Sequence, residues 1–369
     1  MKHGKLIAFV KTNAVMLIAF TAALITSFIV PPDKEYIGYF DFKTLTCLFC
    51  VLAVVCALRR ISFFYILARR VVQVFKNARV CTLALIYITF IGSMLIANDM
   101  ALLTFLPLGY FVLNATHMGK HMAFVFIMQN MAANLGGMLT PFGNPQNLYL
   151  YTKFEIPNGE FMLIMAPPFI LSILLITLCC FIFVKPEQLS INEETIKLSP
   201  VRTTIYLMLF LLSILIVFRG VPYYVGLAVI PAVLIFMDRR ALFDVDYGLL
   251  LTFVFFFVFS GNMARIDVVR DFFAALLDKS TLLVSTFSCQ FISNVPSAIL
   301  LSQFTENYKD LLVGVNIGGV GTLISSLASL ITFREYSKYN PGKTKHYILE
   351  FSLFNFGFLA ILILFMLMI

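Results

Sequence analysis

The residues with chemistry to offer are gathered into four short stretches of an otherwise apolar chain. The longest is Asn134-Leu135-Gly136-Gly137-Met138-Leu139-Thr140-Pro141-Phe142-Gly143-Asn144-Pro145-Gln146-Asn147. A second, beginning at Asn316, repeats its spacing: Asn316, Gly318, Gly319 and Thr322 answer Asn134, Gly136, Gly137 and Thr140. The two shorter stretches are Ala97-Asn98-Asp99 and Ser293-Asn294-Val295-Pro296. Side-chain amides, hydroxyls and unwound carbonyls are hard oxygen ligands suited to Na⁺. Helix N-termini beside them offer N–H groups and partial positive charge to an anion. A substrate is therefore expected at Asn98, Asp99, Asn144, Pro145, Ser293, Asn294, Val295, Pro296 and Ser325. A cation is expected at Asn98, Asp99, Asn134, Gly137, Thr140, Gly143 and Asn147 in the first half, and at Asn294, Asn316, Gly319 and Thr322 in the second. Each polar side chain taken singly is equally a helix–helix hydrogen bond. Their repetition as two clusters is what argues for a site.

Asp99 stands apart. Of the 19 acids, it alone falls well inside an apolar run, and an intramembrane acid is by default a functional hypothesis. Three roles are open to it: cation ligand, carrier of a coupled proton, or cap of the helix that begins there. No Lys or Arg falls in the four stretches. An anion there must be neutralised by helix dipoles, amides and co-bound cations, which favours coupling its binding to that of Na⁺ or H⁺.

The elements that must position these residues are set by helix chemistry. Gly costs about 1 kcal/mol and Pro about 3 kcal/mol in a helix interior relative to Ala, so the stretch from Gly136 to Pro145 breaks a helix. Irregular backbone at membrane depth is tolerated only where protein buries it or it lines an aqueous cavity, and broken helices around a midplane cavity are a transporter device. The 369 residues are 60% hydrophobic and 12% charged, with mean hydropathy +0.94, against roughly 25% charged for soluble domains. The fold class expected is an all-α polytopic membrane protein in the bilayer of the cell's inner membrane.

A span needs about 20 apolar residues. Crossings are expected near 13–31, 42–58, 121–150, 160–184, 203–219, 221–237, 247–264, 310–333 and 346–369, with re-entrant hairpins over 80–116 and 280–305. The first run reads as a retained span rather than a signal peptide, and Ile61 to Lys76 as an amphipathic helix on the cytoplasmic interface. With the N-terminus cytoplasmic and the C-terminus outside, 19 of the 27 Lys and Arg residues lie inside, as the positive-inside rule asks. The formal charge of +8 has this origin, and no nucleic-acid partner is expected. Equivalent spans are separated by an odd number of crossings, so residues 1–184 and 203–369 form oppositely oriented repeats joined by a cytoplasmic linker, 185–202.

Other motifs carry less. Cys47 and Cys50 have redox-pair spacing but sit mid-span, where packing is the plainer role. His117 and His121 are four apart without a third ligand, so no transition metal is expected. The chain has no His-Glu-x-x-His, paired intramembrane aspartates or Gly-x-Ser-x-Gly; neither an enzyme nor a cofactor is expected.

Gly136 to Asn147, with the paired tips Ala97-Asn98-Asp99 and Ser293-Asn294-Val295, resembles the ion transporter superfamily that includes divalent anion/sodium symporters, citrate carriers, arsenite permeases and a class of sodium/proton antiporters. The resemblance runs in order along nearly the whole chain. It implies secondary transport by a fixed scaffold and an elevator-like moving domain, commonly in a homodimer. It also implies sodium between each tip and its neighbouring loop, and a small inorganic or carboxylate anion between the tips. Only Ser293-Asn294 keeps the dicarboxylate-type tip. Ala97, Asp99 and Val295 depart from it, and an Asn-Asp tip is more like the arsenite-permease side.

Overall fold

The computed structural model of the protein describes residues 14–73, 75, 77–188 and 199–369. The N-terminal lysines Lys2, Lys5 and Lys11, and most of the expected linker, lie outside the described residues. Among the described residues the structure is helical, with one isolated β-bridge, Asn77 to Gln188.

The first half comprises α1 (Ala14–Ile29), α2 (Phe42–Arg60), α3 (Phe63–Gln73), α4 (Ala78–Ile96), α5 (Asn98–Ala115), α6 (Met122–Gly136), α7 (Pro145–Lys153) and α8 (Asn158–Phe183). The second comprises α9 (Pro200–Val217), α10 (Tyr223–Phe243), α11 (Tyr247–Ala264), α12 (Asp267–Lys279), α13 (Thr281–Ile292), α14 (Asn294–Leu301), α15 (Tyr308–Ile317), α16 (Leu327–Tyr339) and α17 (Thr344–Met368). Local chemistry sets the helix starts. Asp41 accepts from Thr44 N to begin α2, Asn77 from Arg79 N and Val80 N to begin α4, and Asp246 from Leu249 N to begin α11. Each bond satisfies an N–H that the first turn leaves without a partner.

Among the described residues, seven helical stretches are long and apolar enough to cross a bilayer: α2, α4, α6 with its flanking turns, α8, α9, α11 and α17. Two expected crossings differ in detail. The α1 helix is apolar but has only 16 residues. The α10 helix runs past the expected 237 to Phe243 but breaks at Asp238 (φ −160°, ψ 75°), whose carboxylate turns to Arg60 Nε at 2.8 Å. The two hairpins also differ. Legs α4 and α5 have 19 and 18 residues, and α13 and α14 have 12 and 8. At 1.5 Å per residue the first pair reaches about 28 and 27 Å, the second about 18 and 12 Å. The second hairpin is too short to span, whereas one leg of the first is nearly as long as the hydrocarbon core is thick, about 30 Å.

Ion pairs gather near the helix ends in two groups. Ion pairs join Arg60 to Asp238 and Asp244, and Lys120 to Glu187, all assigned to one face. Arg265 pairs with Asp33 and Glu35, and Lys309 with Glu160, all assigned to the other. Packing then interlocks the halves. The α16 helix lies against α5 and α6, and α7 lies against α14 and α15.

The 3₁₀ turn Lys34–Tyr39 is tied to the end of α11 by Arg265, whose Nη2 lies 2.7 Å from Asp33 Oδ2 and whose Nη1 donates to Tyr39 Oη at 3.1 Å. The Arg265 hydrogen bond holds the Asp33 carboxyl below the ordinary aspartate value of 3.8. Because the folded value is depressed, the tie is complete above the ordinary value and is lost as pH falls through the lowered one. Arg265→Gln should therefore raise amide exchange over residues 33–40 at neutral pH. The wild-type segment should hold its protection down to about pH 4 and lose it below. Hydrogen-exchange mass spectrometry in detergent checks both.

Candidate functional site

Both hairpins turn on one residue with the same uncommon backbone: Ala97 at φ 67°, ψ 150° and Ser293 at φ 74°, ψ 159°. Non-glycine residues in this region cost on the order of 1–3 kcal/mol and persist only where the surroundings fix them. Here the surroundings fix both in the same way. Asn98 N donates to Gly143 O at 3.0 Å, and Asn294 N to Ser325 O at 2.9 Å. Thr140 Oγ1 donates to Met94 O at 2.7 Å, and Thr322 Oγ1 to Gln290 O at 3.0 Å. Each tip asparagine folds its Oδ1 back onto the next N–H, that of Asp99 or Val295, at 2.9 Å. The spacing repeat read in the sequence is thus a repeat of hydrogen bonds.

Close approach of each broken helix to its hairpin requires glycine. A Cβ on Gly136 would stand 2.3 Å from Phe90 O and 2.8 Å from Ser93 Oγ. On Gly318 it would stand 2.9 Å from both Thr286 O and Cys289 Sγ, the residues at equivalent distances before the second tip.

Between the loops runs a network of buried amides. Asn98 Nδ2 donates to Asn134 Oδ1 at 3.1 Å, and Ser326 Oγ donates to the same oxygen at 2.8 Å. Asn144 Nδ2 reaches Asn134 O and Asn316 Oδ1, each at 3.1 Å. Asn316 Nδ2 donates to Asn147 Oδ1 at 2.6 Å, and Asn147 Nδ2 contacts the carbonyls of Gly137, Met138 and Thr140, each at 3.2 Å. Asn147 and Asn316 therefore use both ends of their amides inside the protein. Three oxygens are left over. Asn144 Oδ1, Gln146 Oε1 and Asp99 Oδ1 are buried without a hydrogen-bond partner, and Asn144 Oδ1 sits against Gly137, 2.4 Å from where a Cβ would be.

The tips face one small cavity, about 20 Å³, lined by Asn98, Asp99, Pro145, Ser293, Asn294, Val295 and Pro296 from the expected set. Gln146, Thr252 and Ser326 line it too, and no Lys or Arg does. Asn144 and Ser325 lie one layer behind, Ser325 Oγ donating to Gly319 O at 2.9 Å. Asn134, Gly137, Thr140, Gly143, Asn147, Asn316, Gly319 and Thr322 form the two loops and the network just described. Asp99 lies in the first turn of α5, where a negative charge is favoured, yet its carboxylate accepts no capping bond: the N-cap is Ala97, without a side-chain bond. A second cavity of about 20 Å³ also touches Asp99 and reaches the exposed Asp246 at the start of α11.

Three contributors escaped the sequence reading. Ser326 stands ten residues after Asn316, as Asn144 does after Asn134, so the repeat itself pointed to it. Gln290 braces the second loop, donating to Gly318 O at 2.9 Å and Val320 O at 3.3 Å and accepting from Thr322 N at 2.9 Å. Its signal was an amide inside an apolar run. Gln146 lies next to an expected residue and donates to Asn316 Oδ1 at 3.3 Å. Of the remaining motifs, Cys47 and Cys50 are free and buried within α2. His117 has a positive φ of 55°, which breaks the helical register with His121, and no group of three His, Cys, Asp or Glu converges among the described residues.

A polytopic helical protein whose broken helices and hairpin tips close on one polar cavity has the build of a membrane transporter. The citrate transporter family matches residues 6–308 of this chain, and the chain belongs to that family. It is 34% identical over 295 residues to an uncharacterized transporter of Methanocaldococcus jannaschii, covering 80% of this chain and 81% of that protein. It is 28% identical over 319 residues to the inner membrane protein YbiR of Escherichia coli, covering 84% of each.

The loop geometry makes a direct prediction. A Cβ on Gly143 would stand 2.3 Å from Gly137 O and 2.7 Å from Thr140 Oγ1, whereas one on Gly357 meets nothing within 4 Å. Gly143→Ala should destabilise by about 1–3 kcal/mol through overpacking, and Gly357→Ala should leave stability unchanged or raise it. Thermal midpoints of the purified variants in detergent decide this.

Proposed function

We propose that the protein is a secondary transporter that carries a small inorganic or carboxylate anion with a coupled cation, Na⁺ or H⁺, by alternating access. The observation that supports this most is the charge balance of the tip cavity. Two helix N-termini, those of α5 and α14, open onto it beside side-chain amides and hydroxyls. The one charged lining residue is an acid, Asp99. An anion is held there only if a cation offsets Asp99 and adds to the two dipoles. The partnerless Asn144 Oδ1, with the loop oxygens around Gly137 and Gly143, offers that cation a second set of hard ligands. The superfamily resemblance adds the elevator-type movement, the homodimer and the dicarboxylate-like Ser293-Asn294 tip. The resemblance and the ion-pair grouping together favour an N-terminus inside and a C-terminus outside.

The competing reading is export: an arsenite/antimonite permease or a sodium/proton antiporter. The partnerless Asp99 carboxylate favours it, because such a group takes up and releases a proton or cation without breaking structural hydrogen bonds.

Uptake of labelled citrate, succinate, sulfate and arsenite into proteoliposomes, with and without an imposed sodium gradient, separates the two. Sodium-driven accumulation of one of these anions is the expected result. No accumulation, with proton movement on adding sodium, transfers the protein to the antiport reading. Under either reading Asp99→Asn should abolish the dependence on sodium and pH. A variant that keeps both dependences removes Asp99 from the coupling mechanism.

A further inference from the structure

A polar cavity much larger than the one between the tips lies elsewhere in the molecule. It is an open vestibule of about 360 Å³ whose lining includes Lys43, Tyr149, Lys153, Phe257 and Gln303. It stands on the face carrying Asp33, Glu160, Arg265 and Lys309, since Lys43 begins α2 and Arg60, on the opposite face, ends it.

Three features set the vestibule in line with the tip cavity. Along α7, Pro145 and Gln146 line the tip cavity, while Tyr149, Thr152 and Lys153 line the vestibule. Positions 145, 149, 152 and 153 share one face of a helix. From Gln146 to Lys153 is seven residues, about 10 Å at 1.5 Å per residue. The α11 helix repeats this placement, with Leu249 and Thr252 at the tips and Phe257 and Gly261 at the vestibule. The floor between the two cavities is aromatic: the rings of Tyr149 and Phe257 lie 5.6 Å apart. Tyr149 Oη is bonded to Ser302 Oγ at 2.9 Å and accepts from Gln303 Nε2 at 3.4 Å, so the floor is held in place.

The charges are arranged unequally. Asp41 and Glu155 also line the vestibule, but the Asp41 carboxylate is engaged in capping α2, accepting from Thr44 N at 2.9 Å and Thr44 Oγ1 at 2.5 Å. The Glu155 turn is pinned through its backbone by Arg219, which also donates to Tyr151 O at 2.8 Å. Among the described residues neither the Lys43 nor the Lys153 ammonium has an ion-pair or hydrogen-bond partner. The four lining charges sum to zero, so what favours an anion is local: the two half-buried ammonium groups keep their N–H donors for it, while the Asp41 carboxylate is occupied at the start of α2.

We propose that this vestibule is an anion-capture site, in which Lys43 and Lys153 hold a small carboxylate or inorganic anion above the Tyr149–Phe257 floor before it reaches the hairpin tips. Its two ammonium groups are the cationic side chains that the tip cavity lacks, and the site rests on the anion-carrier reading only for the steps after capture.

The test has two parts. Purified protein in detergent is treated with pyridoxal 5′-phosphate, an anionic aldehyde that forms imines with lysine. Borohydride fixes the adducts, and peptide mass spectrometry counts them with and without sulfate or citrate. Lys43 and Lys153 should be protected by the anions, while Lys120 and Lys338, each 64% exposed, should not. Equal protection at all four lysines, or none, overturns the proposal. In proteoliposomes, Lys43→Gln with Lys153→Gln should raise KM for the transported anion roughly tenfold with kcat unchanged, and should weaken the dependence of uptake on ionic strength. An unchanged KM also overturns it. Protected lysines in a protein that accumulates no anion defeat the carrier reading and leave the capture site standing; accumulation with unprotected lysines does the reverse.

Discussion

Breaking a helix inside an apolar chain strands carbonyls and N–H groups that water cannot reach, and each buried group left unpaired costs about 1–3 kcal/mol. The rest of this structure depends on how those groups are satisfied. In the first half the answer comes from within the broken helix itself, where the Asn147 amide faces three loop carbonyls. In the second it comes from the hairpin, where Gln290 reaches from α13 to the carbonyls of Gly318 and Val320. There Gly321 adopts a φ of +132°, with no room for a Cβ beside the Gln290 amide. That contribution explains how the second loop holds its shape without the prolines of the first.

The same bonds knit the halves together. Asn144 to Asn316 and Ser326 to Asn134 cross between repeats, so each broken loop is braced by the other. Such a unit moves as a body or not at all, because displacing one loop strands the amides of its partner. The strained residues at both tips, Ala97 and Ser293, are held by that brace. With so much polarity satisfied internally, few oxygens remain for a ligand. Those left without partners, Asn144 Oδ1, Gln146 Oε1 and Asp99 Oδ1, mark where ligand chemistry has room.

Much of this was legible beforehand. The glycine and proline content of Gly136 to Pro145 and the spacing repeat at Asn316 located both broken helices, and the isolated polar tips located both hairpins. Even the backbone bonds obey the repeat, Asn98 N to Gly143 O answering Asn294 N to Ser325 O. The rest stayed hidden because repeats diverge and because packing joins residues distant in sequence. The position matching Gln290 in the first half is Met94, so no internal comparison flagged it. Asp246 caps the start of α11, and only packing carries it to the cavity beside Asp99. The vestibule joins Lys43, Lys153 and Gln303, residues far apart in sequence with no pattern between them. The break in α10 at Asp238 depends on a partner, Arg60, from another helix.

Lined by an acid and by no cationic side chain, the tip cavity should hold an anion only in company with a cation. Calorimetric titration of the purified protein with citrate and with sulfate measures this directly, in sodium and in choline at neutral pH and again in choline at lower pH. Measured in the Lys43→Gln, Lys153→Gln variant, so that the vestibule does not contribute, binding should appear with sodium or on acidification and be absent in choline at neutral pH. Binding of equal strength in all three media would contradict the account.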